Sequence, residues 1–523
     1  MTRLPWLLGC LLWWAGLLAA GPVSAGRGPF DALEADLRKE GERTTASWQQ
    51  AQPAGRPALE ATLKAAYEGL HDIRHYEAFG ELWDKWAYKG ETLDVLYPAS
   101  GAHLAPLEFV HRGHLREASF TFTEIDPAMI PRLEANLLRL VKLGFYSDLA
   151  AALTPLPLRP GEQGVPPPQG EGPDRIQAWI RESIRTTGAA PPLEAAFTFR
   201  YRETRVRLRL LLNASSAAPG STEYYRGEDL AKADLVVTHD ISYDPREHLA
   251  FLRSCIESAC SQDRRRPLAV MMEDLARYPF PMDLTPFNAR AATRLPYGHA
   301  AFVRMPDGTR SEAEDGPTLY KGAILLEPDL ALWRGLSVPE RTALFNLILL
   351  RDHGFDRRNV NLIDGRRVEA PAILDWHMSY GRKDIDGRDL RDRKGFLAAL
   401  ARTCISTVGR LPQGPFRSWL CSSLQSFRST LERMASRDCG SAARDAAAVP
   451  SADHPFLSTP EIRRQFQSAV SAAGFVGKLL QADGVEAGLA FRELDPARVK
   501  AAGCSPVPAP PSTPRPTDKE TRP

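Results

Sequence analysis

An α/β fold around a parallel sheet is predicted by three features in the first half of the chain. The first is TLDVLYPASGAHLAPLEFVHRGHLREASFTFTEID, residues 92–126. It reads as an apolar strand (Leu93 to Tyr97), a tight turn ending in Ser100-Gly101, a helical segment, and a second strand (Ser119 to Thr123) closing on Glu124 and Asp126. This order lets backbone N–H groups of the turn approach a nucleotide-like ligand while an acid accepts from ribose hydroxyls. The second feature is KADLVVTHDISYDPREHLAFLR, residues 232–253. It gives a buried-type strand (Leu235 to Thr238), the pair His239-Asp240, and a helix opening at Pro245. The third is the connecting helix PRLEANLLRLVKLG, which opens on Pro131 and closes on Gly144.

The remaining elements follow in chain order. Arg3 precedes the apolar run LPWLLGCLLWWAGLLAA, and Val23-Ser24-Ala25 puts small residues where a signal peptidase reads. A secretory leader over residues 1–25 is expected, exporting the mature chain to the periplasm or beyond. Leu7-Leu8-Gly9-Cys10 also spells a lipoprotein box, and an uncleaved run would anchor the chain. Membrane contact in either case comes through this N-terminal segment. Residues 26–90 form a helical extension, with LEADLRKEGERTTASWQQ and PALEATLKAAYEGL amphipathic and Trp83, Trp86 and Tyr88 as packing aromatics. Residues 91–335 carry the sheet, interrupted by a Pro/Gly-rich loop over 155–174. A helix (Arg175 to Thr186) precedes a β-hairpin signal in AFTFRYRE and TRVRLRLLLN. RPLAVMME reads as a fifth strand, and HAAFVRMP with TLYKGAILLE as a closing antiparallel pair. Residues 336–500 are mostly helical, and a Pro-rich tail over 501–523 is expected to be disordered.

These segments resemble the class I S-adenosylmethionine-dependent methyltransferase superfamily, with its Rossmann-like sheet. The resemblance implies Ser100 and Gly101 in a cofactor loop and Glu124 or Asp126 on the ribose. It places His239 and Asp240 at an active-site rim, as catalytic or substrate-contacting residues. Tyr97-Pro98 stands where an acid often precedes the turn, and the usual G-x-G core is reduced to A-S-G. S-adenosylmethionine is made in the cytoplasm, whereas the leader exports this chain. One reading meets both facts: a methyltransferase-like domain serving as an exported, non-catalytic binding or structural module. The alternative is an active methyltransferase using S-adenosylmethionine.

A competing constellation lies in RDHGFDRRNVNLIDGRRVEAPAILDWHMSYGRK, residues 351–383. Asp356 and Asn361 are spaced as the base and the metal-binding Asn of a kinase catalytic loop, and Asp375 follows at a distance that suits the metal-binding Asp of the next strand. The wording resembles phosphoinositide 3-kinase-like and other atypical kinases, with Arg358 in place of a histidine. The structural reading is a hairpin: strand NVNLI, turn Asp364-Gly365, strand APAILDW. His71, His75, His111 and His114 read as solvent-exposed, and no metal site is expected from them. Neither a G-x-S-x-G elbow nor an H-E-x-x-H helix is present.

Composition sets the remaining bounds. The chain has 523 residues, long enough for more than one core, and 43% hydrophobic with 25% charged residues is ordinary globular composition. Basic and acidic residues number 66 and 64, so no nucleic-acid partner is expected from net charge. Beside Cys10 stand Cys255, Cys260, Cys404, Cys421, Cys439 and Cys504, an even mature count suited to disulfides in an oxidising compartment. Bridges are expected among Cys404, Cys421 and Cys439, in the helical C-terminal region.

Overall fold

The computed structural model describes residues 28–156, 165–166, 173–188, 190–212, 227–238, 245–261, 268–273, 284–297, 319–349, 360–363, 366–369, 384–388, 395–435, 490 and 492–504. The leader, most of the Pro/Gly-rich loop and the tail beyond Cys504 lie outside these residues.

Three helices open the chain: α1 (Pro29–Gln50), α2 (Arg56–Ile73) and α3 (Tyr76–Trp86). Their apolar stripes are buried through Phe30, Leu33, Leu37, Leu63, Leu70 and Phe79. As expected, the aromatics pack: the Trp83 ring stacks on Phe109 at 5.4 Å, and Trp86 lies 4.7 Å from Tyr88.

The sheet begins with β1 (Thr92–Tyr97), followed by a short helix α4 (Glu108–Arg112) and β2 (Glu117–Glu124). Helix α5 (Met129–Lys142) starts two residues before Pro131, and Gly144 at φ +79 ends it, with Phe145 N–H bonded back to Leu140 C=O. A strand not foreseen from the sequence comes next, β3 (Tyr146–Pro155), then α6 (Pro173–Thr187). The hairpin of β4 (Leu193–Tyr201) and β5 (Thr204–Leu212) turns at Arg202, φ +52. Beyond it lie α7 (Gly227–Lys232), β6 (Leu235–Val237), α8 (Pro245–Ser261) and β7 (Ala269–Glu273).

The closing pair is β8 (Ala289–Tyr297) and β9 (Leu319–Leu326), antiparallel. The expected partner HAAFVRMP is therefore corrected: the strand beside TLYKGAILLE is ARAATRLPY, and residues 298–318 lie outside the described residues. Helices α9 (Leu330–Arg334) and α10 (Val338–Leu349) follow. The hairpin at Asp364-Gly365 is present as β10 (Val360–Ile363) and β11 (Arg366–Glu369). Its second strand starts directly after the turn rather than at APAILDW. Helices α11 (Phe396–Arg410), α12 (Pro415–Ala435) and α13 (Pro496–Ala501) complete the described chain.

The eleven strands of the described residues form one sheet, ordered β11-β10-β9-β7-β6-β1-β2-β5-β4-β3, with β8 on β9. The centre β7-β6-β1-β2-β5 is parallel, and the flanks are antiparallel. Chain order reverses between β1 and β6, the switch point at which ligands enter doubly wound sheets. This parallel centre, closed by the antiparallel β9, is a Rossmann-like, methyltransferase-type sheet. A helical extension precedes it and a mostly helical region follows.

Strand alternation divides the core in two. Leu93, Val95 and Tyr97 of β1, with Phe120 and Phe122 of β2, face the N-terminal helices. Leu96, Val236, Val270 and Met272 face α8 to α13. Each fully buried Leu or Phe contributes about 1.5–3 kcal/mol, so a one-residue slip would forfeit an entire row.

Cys421 pairs with Cys504 across 83 residues of chain, tying α12 to the segment after α13. The sequence named Cys421 but not this partner. Cys404 is a buried free thiol, which corrects its expected bridging, and burial pushes it up to about 12. Cys439 lies outside the described residues.

Candidate functional site

The carboxyl edge of β1 and β2 brings together four of the residues singled out from the sequence: Ser100, Gly101, Glu124 and Asp126. Directly after β1 the backbone enters the left-handed region at Ala99 (φ +49), and again at Gly101 (φ +60). A Cβ built on Gly101 would meet nothing within 4 Å, so the outer side of the turn is open.

Its donors, however, point inward. Ala99 N–H donates to Thr123 Oγ1 at 3.2 Å and Ser100 N–H to Thr123 C=O at 3.1 Å. Gly101 N–H donates to Glu124 Oε2 at 2.9 Å. Glu124 Oε1 accepts from Ile125 N–H (2.7 Å) and Asp126 N–H (3.3 Å). A carboxylate offers about four acceptor sites, so Glu124 has spent most of its capacity within the protein. Asp126 is engaged as well: its Oδ1 accepts from Ala128 N–H at 2.9 Å, an Asx turn just ahead of α5. The Ser100 side chain is buried and its hydroxyl donates to Gly101 C=O.

The loop is also held from below. His103 N–H donates to Ser100 C=O, and Leu104 N–H donates to Asp72 C=O at the end of α2. Asp72 is buried, and its carboxylate accepts from Arg132 and from Asn136 of α5. The N-terminal helices thus fix the turn against α5. No local pattern signals this, because Asp72 and Arg132 lie far apart in the chain.

At the switch point, Thr238 follows β6, and its N–H donates to Met271 C=O at 2.7 Å. The Thr238 hydroxyl is buried, with no hydrogen-bond partner among the described residues. His239 and Asp240, the rim candidates, lie outside the described residues. So do Asp356 and Asp375 of the kinase constellation, while Asn361 sits in β10.

Two of the four histidines expected at the surface depart from expectation, while His114 is exposed as expected. His75 is buried at φ +68, and the His111 side chain is only 2% exposed. His111 Nδ1 lies 2.8 Å from Glu108 Oε2 and Nε2 lies 2.7 Å from Tyr146 Oη. The tautomer that satisfies all three groups has Nδ1–H donating to the carboxylate and Nε2 accepting the phenol proton. Burial lowers the imidazole pKa below its ordinary value, against the opposing pull of Glu108. Burial raises the Tyr146 phenol well above its own, with Glu108 adding to it. Glu108 and His111 are three apart on α4, the one sequence signal that could have found the network. Among the described residues no group of three or more His, Cys, Asp and Glu is placed to hold a metal. Nor is any described helix long and apolar enough to cross a membrane.

No protein-family model matches the chain, and no curated protein matches its sequence. Solved structures do match. The rRNA methyltransferase aviRa from Streptomyces viridochromogenes is 16% identical, covering 50% of this chain and 88% of its own, with a TM-score of 0.22. A Streptococcus pneumoniae protein described as a candidate tRNA methyltransferase is 10% identical, covering 67% of this chain and 96% of its own, with a TM-score of 0.19. The fold assignment rests on the sheet order given above.

Proposed function

We propose that this chain is a methyltransferase-like domain working as an exported binding or structural module rather than as an enzyme running on S-adenosylmethionine. One observation carries the reading. The N–H groups of Ala99, Ser100 and Gly101 all donate to β2, and the acid that would meet a ribose accepts one of them. A cofactor loop needs free donors facing its ligand, and the A-S-G turn spends its donors bracing β1 to β2. The residues at this edge therefore do not fit S-adenosylmethionine, and no methyl transfer is derived through it.

Export rests on Arg3, the apolar run after it and Val23-Ser24-Ala25. N-terminal sequencing of protein from fractionated cells tests it, and a cytosolic product beginning at Met1 would refute it. Active methyl transfer is favoured by a different feature, the open space above Gly101 beside the exposed Ile125. Calorimetry with S-adenosylmethionine and S-adenosylhomocysteine decides between the two. The proposal expects no binding; micromolar or tighter affinity abolished by Glu124→Ala or Asp126→Ala would restore the enzyme.

A further inference from the structure

Among the described residues, the outer face of β2, β5 and β4 is buried only toward the glycine-turn edge. There Thr121, Thr123 and Leu211 are buried. At the opposite edge the outward residues Glu117, Thr198, Arg200, Arg205 and Arg207 are exposed. The inward residues of the same strands, such as Phe199 and Val206, are fully within the core. An exposed sheet face on a domain this size is unremarkable; its arginines are not.

Arg200 of β4 and Arg205 of β5 stand directly opposite each other in register. Neighbouring side chains in such a pair are about 4.5–5.5 Å apart at Cβ, and like charges placed so destabilise the sheet. Arg205 also faces Glu117 of β2 in register, but among the described residues neither arginine forms an ion pair. Arg207 lies two residues further along β5, so the row repeats at about 6.7 Å, twice the rise per residue of a strand. Its contact with Glu194 is long, 3.5 Å, and its side chain is 59% exposed. Deeper in the row, Arg209 is already neutralised by Glu194 at 2.9 Å and Asp229 at 3.4 Å.

We infer that this face binds an extended acidic peptide segment, with carboxylates at every second residue lying along Arg205 and Arg207 and across Arg200. An extended peptide repeats its side chains on one face at the same spacing as β5, which sets the register. The forked guanidinium suits a carboxylate better than an ammonium would, and every basic residue of the row is arginine. Single-stranded nucleic acid is disfavoured, because its bases need aromatic rings to stack on. The outward positions of β2, β4 and β5 are Glu, Ser, Thr, Arg, Ala and Leu, with no ring among them. The surface lies at the edge opposite the glycine turn, so it stands or falls independently of the proposed function.

The test is fluorescence anisotropy of the full chain with a labelled peptide of alternating Glu and Thr, at low and at physiological ionic strength. An alternating Lys-Thr peptide and oligothymidylate serve as comparators. The expected result is salt-sensitive binding of the acidic peptide alone, weakened about tenfold or more by Arg200→Ser with Arg205→Ser. Thr198→Glu, which adds a carboxylate across from Arg207 without removing any arginine, should weaken it as well and guards against misfolding of the double variant. Absent binding at low salt, binding indifferent to both variants, or tighter binding of oligothymidylate would each overturn the inference.

Discussion

Glu124→Ala removes the acceptor of three backbone N–H groups, and its cost distinguishes a brace from a ligand clamp. Two of those donors, Ile125 and Asp126, sit in the exposed loop next to Glu124, where water replaces the lost oxygen. The Gly101 bond differs, because it ties segments 23 residues apart at a half-buried position. A hydrogen bond to a charged group is worth about 1.5–3 kcal/mol, and partial exposure brings the expectation to about 1–2 kcal/mol. For a chain this size that lowers the melting temperature by roughly 1–2 °C. Urea denaturation and thermal melting of wild type, Glu124→Ala and Glu124→Gln, all without added ligand, measure it. Glutamine keeps one acceptor oxygen but loses the charge, so its loss should be intermediate. Unchanged stability of the alanine variant would refute the brace, and more so if the wild type bound S-adenosylmethionine and the variant did not.

Three further outcomes are expected. Because burial holds the His111 pKa below 6.5, the folded state keeps this ring neutral while the unfolded chain takes a proton. Stability is then full above pH 6.5 and falls as pH drops toward the folded pKa, by at most about 1.4 kcal/mol per pH unit; the slope between pH 6.5 and 5 should flatten in His111→Gln, and an unchanged slope would exclude His111 as its source. Cys504→Ser should destabilise by about 2–4 kcal/mol, since closing a loop of this length is worth about 4.5 kcal/mol in the chain-entropy model before native strain is subtracted; a variant that unfolds at the wild-type denaturant midpoint would contradict the pairing. Of the three described cysteines outside the disulfide, Cys260 is partly exposed while Cys255 and Cys404 are buried, so mass mapping after brief native alkylation should, among these three, find label on Cys260, and label on Cys404 would contradict its burial.

The parallel strands were legible because burial on both faces leaves short runs of Leu, Val and Met between turn residues, as in Leu235–Val237 and Ala269–Glu273. Edges were not. Strand β3 reads SDLAAALT, and Ala150, Ala151 and Ala152 are all exposed; alanine has little strand preference and no buried row marks the period. It is the pairing with β4, supplied by residues some fifty positions away in sequence, that makes it a strand. Asp364-Gly365 between apolar runs signals a two-residue hairpin, and the strands on either side pair at once, Ile363 with Arg366. The apolar run APAILDW begins four residues too late to meet β10 in that register.

The candidate site shows the same division between what a pattern carries and what only packing decides. A strand, a glycine turn and an acid can be read in order, and the structure does set Gly101 and Glu124 side by side. Order says nothing about which way the N–H groups point. Ala99 and Gly101 both take positive φ, and the turn folds back so that its donors meet Thr123 and Glu124. Alanine enters that region at a cost of order 1 kcal/mol, whereas glycine enters freely. The bonds to β2 offset that cost at Ala99, and an outward-facing cradle would have to find other partners for them. Ala99→Gly should therefore relax the turn without abolishing it: stability would change by no more than about 1 kcal/mol, and S-adenosylmethionine would still go unbound. If the glycine variant gained micromolar affinity by calorimetry, the missing second glycine, and not the inward brace, would be what keeps this edge from holding a nucleoside.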